Sequence, residues 1–321
     1  MLSGALFLLG AVLLGVLLGP AGLSPSELWL ALTDPAQAGP ARSILVSLRL
    51  PRVVTGALAG ASLAVSGAIF QALLRNPLAE PYLLGVSSGA GLGAVAAITL
   101  GLTRGPAGLA MAALAGGLLA IVVVFRVAQV VGRLDTRVLI LAGVVVSAFF
   151  GACIMLLLTL ARGDALRSAV LWTMGSLSGV SWQMAGVLAA YTLPAALVAL
   201  LLARDLNALS IGEETAAHLG TRVEATKRLS YLLASLLAAT AVSVAGVIGF
   251  VGLVVPHAVR LLWGADHRRL LPACFFAGGG VLVLADTLAR TVAAPLELPV
   301  GVITAIVGVP AFLVLLRKTA R

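Results

Sequence analysis

In the stretch L-A-D-T-L-A-R, Asp286 and Arg290 stand four residues apart, a spacing that places both side chains on one face of a helix. Of the twelve acidic residues, Asp286 alone falls inside an apolar run; Glu27, Asp34, Glu80, Asp135, Asp164, Asp205, Glu213, Glu214, Glu224, Asp266 and Glu297 lie in or beside the breaks between runs. Carboxylates within membrane segments serve ion-driven carriers as relays, so Asp286 reads either as half of a local ion pair or as a proton relay. Other chemistry is scarce. Nothing matches G-x-x-x-x-G-K-[ST], and neither lysine, Lys227 or Lys318, follows a glycine, so no P-loop for ATP is present. Cys153 and Cys274 are isolated in apolar runs and read as packing residues, while His218, His257 and His267 lack ligand spacing. The pattern argues against an enzyme and against a metal or other cofactor held by this chain.

The elements that carry these residues are set by hydropathy. The 321 residues are 61% hydrophobic and only 10% charged, with a mean hydropathy of +1.13. Soluble domains hold roughly 25% charged residues, so the composition belongs in lipid. Crossing a hydrocarbon core about 30 Å thick takes about 20 apolar residues in a helix. Apolar runs near 1–19, 53–74, 83–103, 107–126, 138–160, 182–203, 229–247, 251–263, 271–289 and 299–316 predict an all-α polytopic membrane protein of about ten helices. The run at 251–263 is too short to cross upright, and 164–181 has room for a short surface helix. No ten-residue alternation of a barrel occurs. So little chain is left over that residues 1–321 read as one transmembrane domain. The first run has no Lys or Arg ahead of it, which argues against a signal peptide.

Basic residues orient the bundle. With the N-terminus inside, fourteen of the 21 fall on the cytoplasmic side: Arg75, Arg126, Arg133, Arg137, Arg204, Arg222, Lys227, Arg228, Arg260, Arg268, Arg269, Arg317, Lys318 and Arg321. The other seven, Arg42, Arg49, Arg52, Arg104, Arg162, Arg167 and Arg290, fall outside. Both termini are therefore expected in the cytoplasm, and the net charge of +9 reads as topology and lipid contact rather than nucleic-acid binding.

Two breaks between runs stand out. In Q-A-L-L-R-N-P-L-A-E-P-Y-L-L-G, Pro77 and Pro81 stop one helix and delay the next, because proline has no N–H and disfavours helix in the residue before it. Irregular backbone at membrane depth survives only where it meets protein or a wet cavity. The longest cytoplasmic loop, about 205–225, contains Ser210 and Glu213 at capping-box spacing and Gly220 where a left-handed helix end would fall. It predicts a short helix exposing Glu213, Glu214 and His218, either a plain connector or a docking surface. Gly56 with Gly60, and Gly89 with Gly93, have the spacing that lets membrane helices approach closely. Gly85, Ser87, Ser88 and Gly89 could instead leave room for bulky cargo.

R-L-P-R at 49–52, S-G-A-I-F-Q-A-L-L-R-N-P-L-A-E-P-Y-L-L-G-V-S-S-G-A at 66–90, W-T-M-G-S-L at 172–177, L-S-I-G-E-E-T-A-A-H-L-G at 209–220, G-F-V-G-L-V-V-P-H-A-V-R at 249–260, D-T-L-A-R at 286–290 and E-L-P-V-G-V-I-T-A-I-V-G-V-P-A-F at 297–312 appear in this order. From about residue 45 onward the chain resembles the permease family of ABC importers for ferric siderophores, haem and vitamin B12. Residues 1–44 match only as an apolar helix and a variable outer loop.

The resemblance implies a type II ABC importer permease in a bacterial plasma membrane. Two permease copies, expected to be a homodimer, would enclose the pathway. Two cytoplasmic ATPase subunits would hold the ATP and magnesium, and an external binding protein would deliver the cargo. Ferric siderophore leads as cargo, with haem and cobalamin as alternatives. By the same resemblance Asn76, Pro77, Leu78 and Thr136 form the cytoplasmic gate. Gly212, Glu213, Glu214, Thr215, Ala216, His218, Leu219 and Gly220 belong to the ATPase coupling helix. Arg49, Arg52 and Arg290 receive acidic residues of the binding protein. The reading from a different class is an ion-coupled secondary transporter that uses Asp286.

Overall fold

A computed structural model describes residues 1–34, 39–102, 105–130 and 136–319. Helices follow one another as α1 (Leu2–Leu17), α2 (Pro25–Thr33), α3 (Gly39–Ser43), α4 (Leu50–Leu73), α5 (Val86–Thr99), α6 (Gly105–Val130), α7 (Thr136–Leu160), α8 (Gly163–Thr173), α9 (Trp182–Leu201), α10 (Ala203–Ile211), α11 (Glu213–His218), α12 (Val223–Ala245), α13 (Val251–Trp263), α14 (His267–Thr291) and α15 (Val300–Thr319). A π-helical turn, Ile44–Arg49, fuses α3 to α4, and a 3-10 turn, Pro81–Leu84, precedes α5. No strand occurs among the described residues.

Among the described residues, six stretches are long and apolar enough to cross a membrane: Gly39–Leu73, Gly105–Gln129, Arg137–Leu160, Trp182–Leu201, Val223–Ala245 and His267–Thr291. The other four apolar runs also become helices, Leu2–Leu17, Val86–Thr99, Val251–Trp263 and Val300–Leu315, but shorter ones. At 1.5 Å per residue the 13 residues of α13 span about 20 Å, too little to cross alone. That helix starts inside the bundle, beside Gly67 of α4, because Gly246 breaks α12 and residues 246–250 turn back before α13 begins.

The centre of the bundle is α4. Its apolar window is 83% buried, against 28% for the windows of α6 and α7, whose outer faces are left to lipid or a partner. Small residues permit this crowding, since helices in lipid associate by close packing rather than by exclusion from water. On Gly60 a Cβ would collide with the Gly278 carbonyl of α14, and on Gly89 or Gly93 it would collide with the backbone of α6. The spacing of Gly56, Gly60, Gly89 and Gly93 thus serves helix packing. Meanwhile Ser87 and Ser88 remain half-buried at the start of α5.

Because α4 and α14 pack in opposite directions about the Gly60–Gly278 contact, Arg52, eight residues before Gly60, comes level with Asp286, eight residues after Gly278. In contrast α1 runs parallel to α14, with Gly4 against Phe276 and Gly15 against Val283. Met1 therefore lies at the same end of the bundle as the start of α14.

Candidate functional site

The residues singled out by sequence gather at three levels along the bundle. At the end of α4 the chain turns through Arg75, which takes a left-handed φ of 48°. The Ala79 N–H then donates to the Asn76 carbonyl at 3.0 Å, and the Leu78 N–H donates to Asn76 Oδ1 at 2.9 Å. This is a tight turn with Pro77 and Leu78 at its two central positions, where proline's fixed φ and the asparagine side chain both favour it. Asn76, Pro77 and Leu78 are exposed. Thr136 opens α7, but its side chain lies outside the described residues. Gln71 before the turn, and Glu80 and Tyr82 after it, tie the chain to residues 248–253 around the start of α13, three contacts that sequence reasoning missed.

The second level is the α10–α11 hairpin. Ser210 is not a capping residue: α10 runs through it, and its hydroxyl bonds back to the Leu206 carbonyl at 2.8 Å. The N-cap position falls to Gly212, whose φ of 150° and ψ of 151° an L side chain rarely adopts. With the capping box gone, the Glu213 carboxylate instead meets the buried Lys227 ammonium at 2.9 Å and pins α11 to α12. The other end closes as expected at Gly220, with φ of 83°. Its N–H bonds the Ala217 carbonyl, and the Thr221 N–H bonds the Ala216 carbonyl, which together form a Schellman motif.

Ala216 is fully buried against Ala208, Leu209 and Val223. Glu214, Thr215, His218, Leu219 and Gly220 face outward. The first two levels also meet, since a Cβ on Gly212 would lie 4.0 Å from Arg75 Nη1. Nearby, Asp266 caps α14. Its carboxyl is held below the usual range, chiefly by the Asn207 amide and next by the Arg268 N–H.

At the opposite end, Arg49, Arg52 and Arg290 line one cavity of about 400 Å³ together with Glu297 and Ser178. They do not project from the surface. Arg49, 4% exposed, donates to the Val16 and Leu17 carbonyls and so satisfies the C-terminus of α1. Arg290, 3% exposed, bonds the Gly15 carbonyl and Thr287. Arg52 holds Asp286 through Nε and Nη2, at 2.9 to 3.1 Å, and Glu297 through Nη1 at 2.9 Å.

Asp286 does face Arg290 one turn away, at 3.5 Å, but its closer partner is Arg52, 234 residues earlier. The pair read as local is thus a network between helices. Three arginines against Asp286 and Glu297 leave one net positive charge, and Arg49 Nη2 and Arg290 Nε have no hydrogen-bond partner among the described residues. Among those residues no group of three His, Cys, Asp or Glu could hold a metal ion.

Known proteins resemble this chain over most of its length. A cobalamin import system permease protein of Halobacterium salinarum is 47% identical over 303 residues, covering 92% of this chain and 80% of its own length. The hemin transport system permease protein of Yersinia pestis is 41% identical over 322 residues, covering 99% and 95%. A solved metal-chelate type ABC transporter in an inward-facing conformation superposes with a TM-score of 0.88 at 32% identity, covering 99% of this chain and 98% of the other. The model of the FecCD transport family matches residues 6–318, and the chain belongs to that family.

Proposed function

We propose that this FecCD-family permease imports a metal chelate, with its opening and closing worked by separate ATPase subunits. The observation that carries the reading is that the Arg75 guanidinium, beside the Asn76–Leu78 turn, reaches Gly212 between α10 and α11. Movement of that hairpin by a bound partner reaches the turn through Arg75. In this reading Asn76, Pro77, Leu78 and Thr136 close the pathway to the cytoplasm. Gly212 to Gly220 receive the ATPase, and their exposed Glu214 and His218 support it.

The chain itself holds no cofactor; ATP and magnesium belong to the two ATPase subunits, and a second permease copy completes the pathway. The protein sits in the bacterial plasma membrane with both termini in the cytoplasm, in keeping with α1 and α14 running parallel. An external binding protein docks at the outer end, where the net positive charge beside Arg49, Arg52, Arg290 and Glu297 would draw an acidic surface. The ion-coupled alternative has little to stand on, since Asp286 is held by two arginines.

Cargo is tested by ATP-driven uptake. The 47% relative is named for cobalamin and the 41% relative for hemin, so cobalamin, haem and a ferric siderophore are compared in that order. Vesicles carrying the permease, its ATPase and its binding protein should accumulate one of the three when ATP is supplied inside. Accumulation of none with ATP hydrolysis intact would reject the metal-chelate class.

A further inference from the structure

The tie between the Asn76–Leu78 turn and α13 has no counterpart in the roles assigned so far. One Glu80 oxygen accepts the Phe250 N–H at 3.2 Å. That N–H lies just ahead of α13, where backbone donors lack partners within the helix and negative charge is favoured. Beside it, the Tyr82 hydroxyl donates to the Ile248 carbonyl at 2.8 Å and accepts the Ile248 N–H at 3.2 Å. Gln71 Nε2 bonds the Leu253 carbonyl at 3.3 Å and that of Ala79 at 3.5 Å. The fit is tight as well as polar: a Cβ on Gly252 would lie 2.6 Å from the Pro81 ring. The segment from Ala79 to Tyr82 and the start of α13 are therefore held as one body.

The start of α14, capped by Asp266 three residues beyond the end of α13, is held as well. There, Asn207 of α10 donates to Asp266 at 2.7 Å and accepts the His267 N–H at 2.9 Å. Since α10 joins α11 through Gly212, the chain that follows α13 is tied to the coupling hairpin, while the start of α13 is tied to the segment after the gate turn.

We infer that Glu80 is a positioning residue for the gate: its carboxylate clasps the turn to α13, so that displacement of α10–α11 is delivered to Asn76–Leu78 along a rigid helix as well as through Arg75. The inference rests on the gate and coupling reading above. Removing the acceptor leaves the Phe250 N–H without a partner, and that loss shifts a two-state equilibrium by about tenfold. Glutamine at the same position retains an acceptor oxygen and keeps the clasp.

The test follows the gate itself. In the assembled complex with the ATPase subunits, Leu78→Cys in a Cys153→Ser background is labelled from the cytoplasmic side by a membrane-impermeant maleimide, with and without ATP plus vanadate. The parent should show an ATP-dependent change in labelling rate. Adding Glu80→Ala should shrink that change about tenfold while ATP hydrolysis, measured without vanadate, continues, and Glu80→Gln should restore it. Asn207→Ala, which frees α10 from the start of α14, should shrink it as well. If Glu80→Ala does not assemble, Tyr82→Phe takes its place with the same outcome expected. A Glu80→Ala complex that follows ATP like its parent, or a Glu80→Gln complex as defective as the alanine, overturns the clasp. A parent that never responds to ATP overturns the gate reading, and the clasp with it.

Discussion

Proline at position 216 is expected to stop import in a complex that still assembles. The Ala216 N–H donates to the Gly212 carbonyl at 2.9 Å, and Ala216 is fully buried against Ala208 and Leu209. Proline removes that donor and crowds the preceding turn, at a cost of about 3 kcal/mol, while glycine costs about 1 kcal/mol through backbone entropy. A six-residue helix held by one Schellman end and one Glu213–Lys227 pair has little to offset the larger loss. Co-purification with the ATPase reports assembly, and cargo delivered per ATP hydrolysed reports coupling. Ala216→Pro should abolish delivery and Ala216→Gly should reduce it. Normal delivery by an assembled proline variant would remove α11 from the coupling path.

Arg52→Glu is expected to produce the largest loss of stability at the outer end. The substitution turns a guanidinium held by two carboxylates into a third acid beside Asp286 and Glu297, and it leaves Asp286 with only the longer contact to Arg290. Breaking a buried pair by removing one partner costs about 3–5 kcal/mol. Arg42→Glu makes the same charge change at an exposed position nearby and should stay within about 0.5 kcal/mol. Thermal unfolding of the two variants in detergent compares them directly. Equal melting temperatures would mean that the network contributes nothing.

The contrast between these two sites shows what sequence carries. The helices of the ten apolar runs were legible, because apolar runs and proline or glycine breaks act locally: α13 falls at 251–263 as read, and Gly220 closes α11 as read, whereas α2 and α3 lie where a variable outer loop was expected. Local signals misled at Ser210. Its spacing to Glu213 fits a capping box, but α10 continues past it, for a helix packed on α4 and α14 extends as far as its neighbours support it. The run at 83–103 likewise gave a full crossing where the chain builds a 3-10 turn and a 14-residue helix. Partners were the least legible. Arg52 meets Asp286 only because two glycines let α4 and α14 touch, and Glu80 meets Phe250 only because α13 starts inside the bundle. Neither pairing leaves a trace in spacing along the chain.

The central claim is that this polypeptide gives passage while other subunits supply the work. Purified permease alone in sealed vesicles, given an imposed proton or sodium gradient and the cargo identified by ATP-driven uptake, tests it most directly. Cargo should do no more than equilibrate, and addition of the ATPase subunits with ATP should drive it above its outside concentration in the presence of the binding protein. Accumulation by the permease alone along the ion gradient, lost on Asp286→Asn, would contradict the account and return Asp286 to the role of a coupling group.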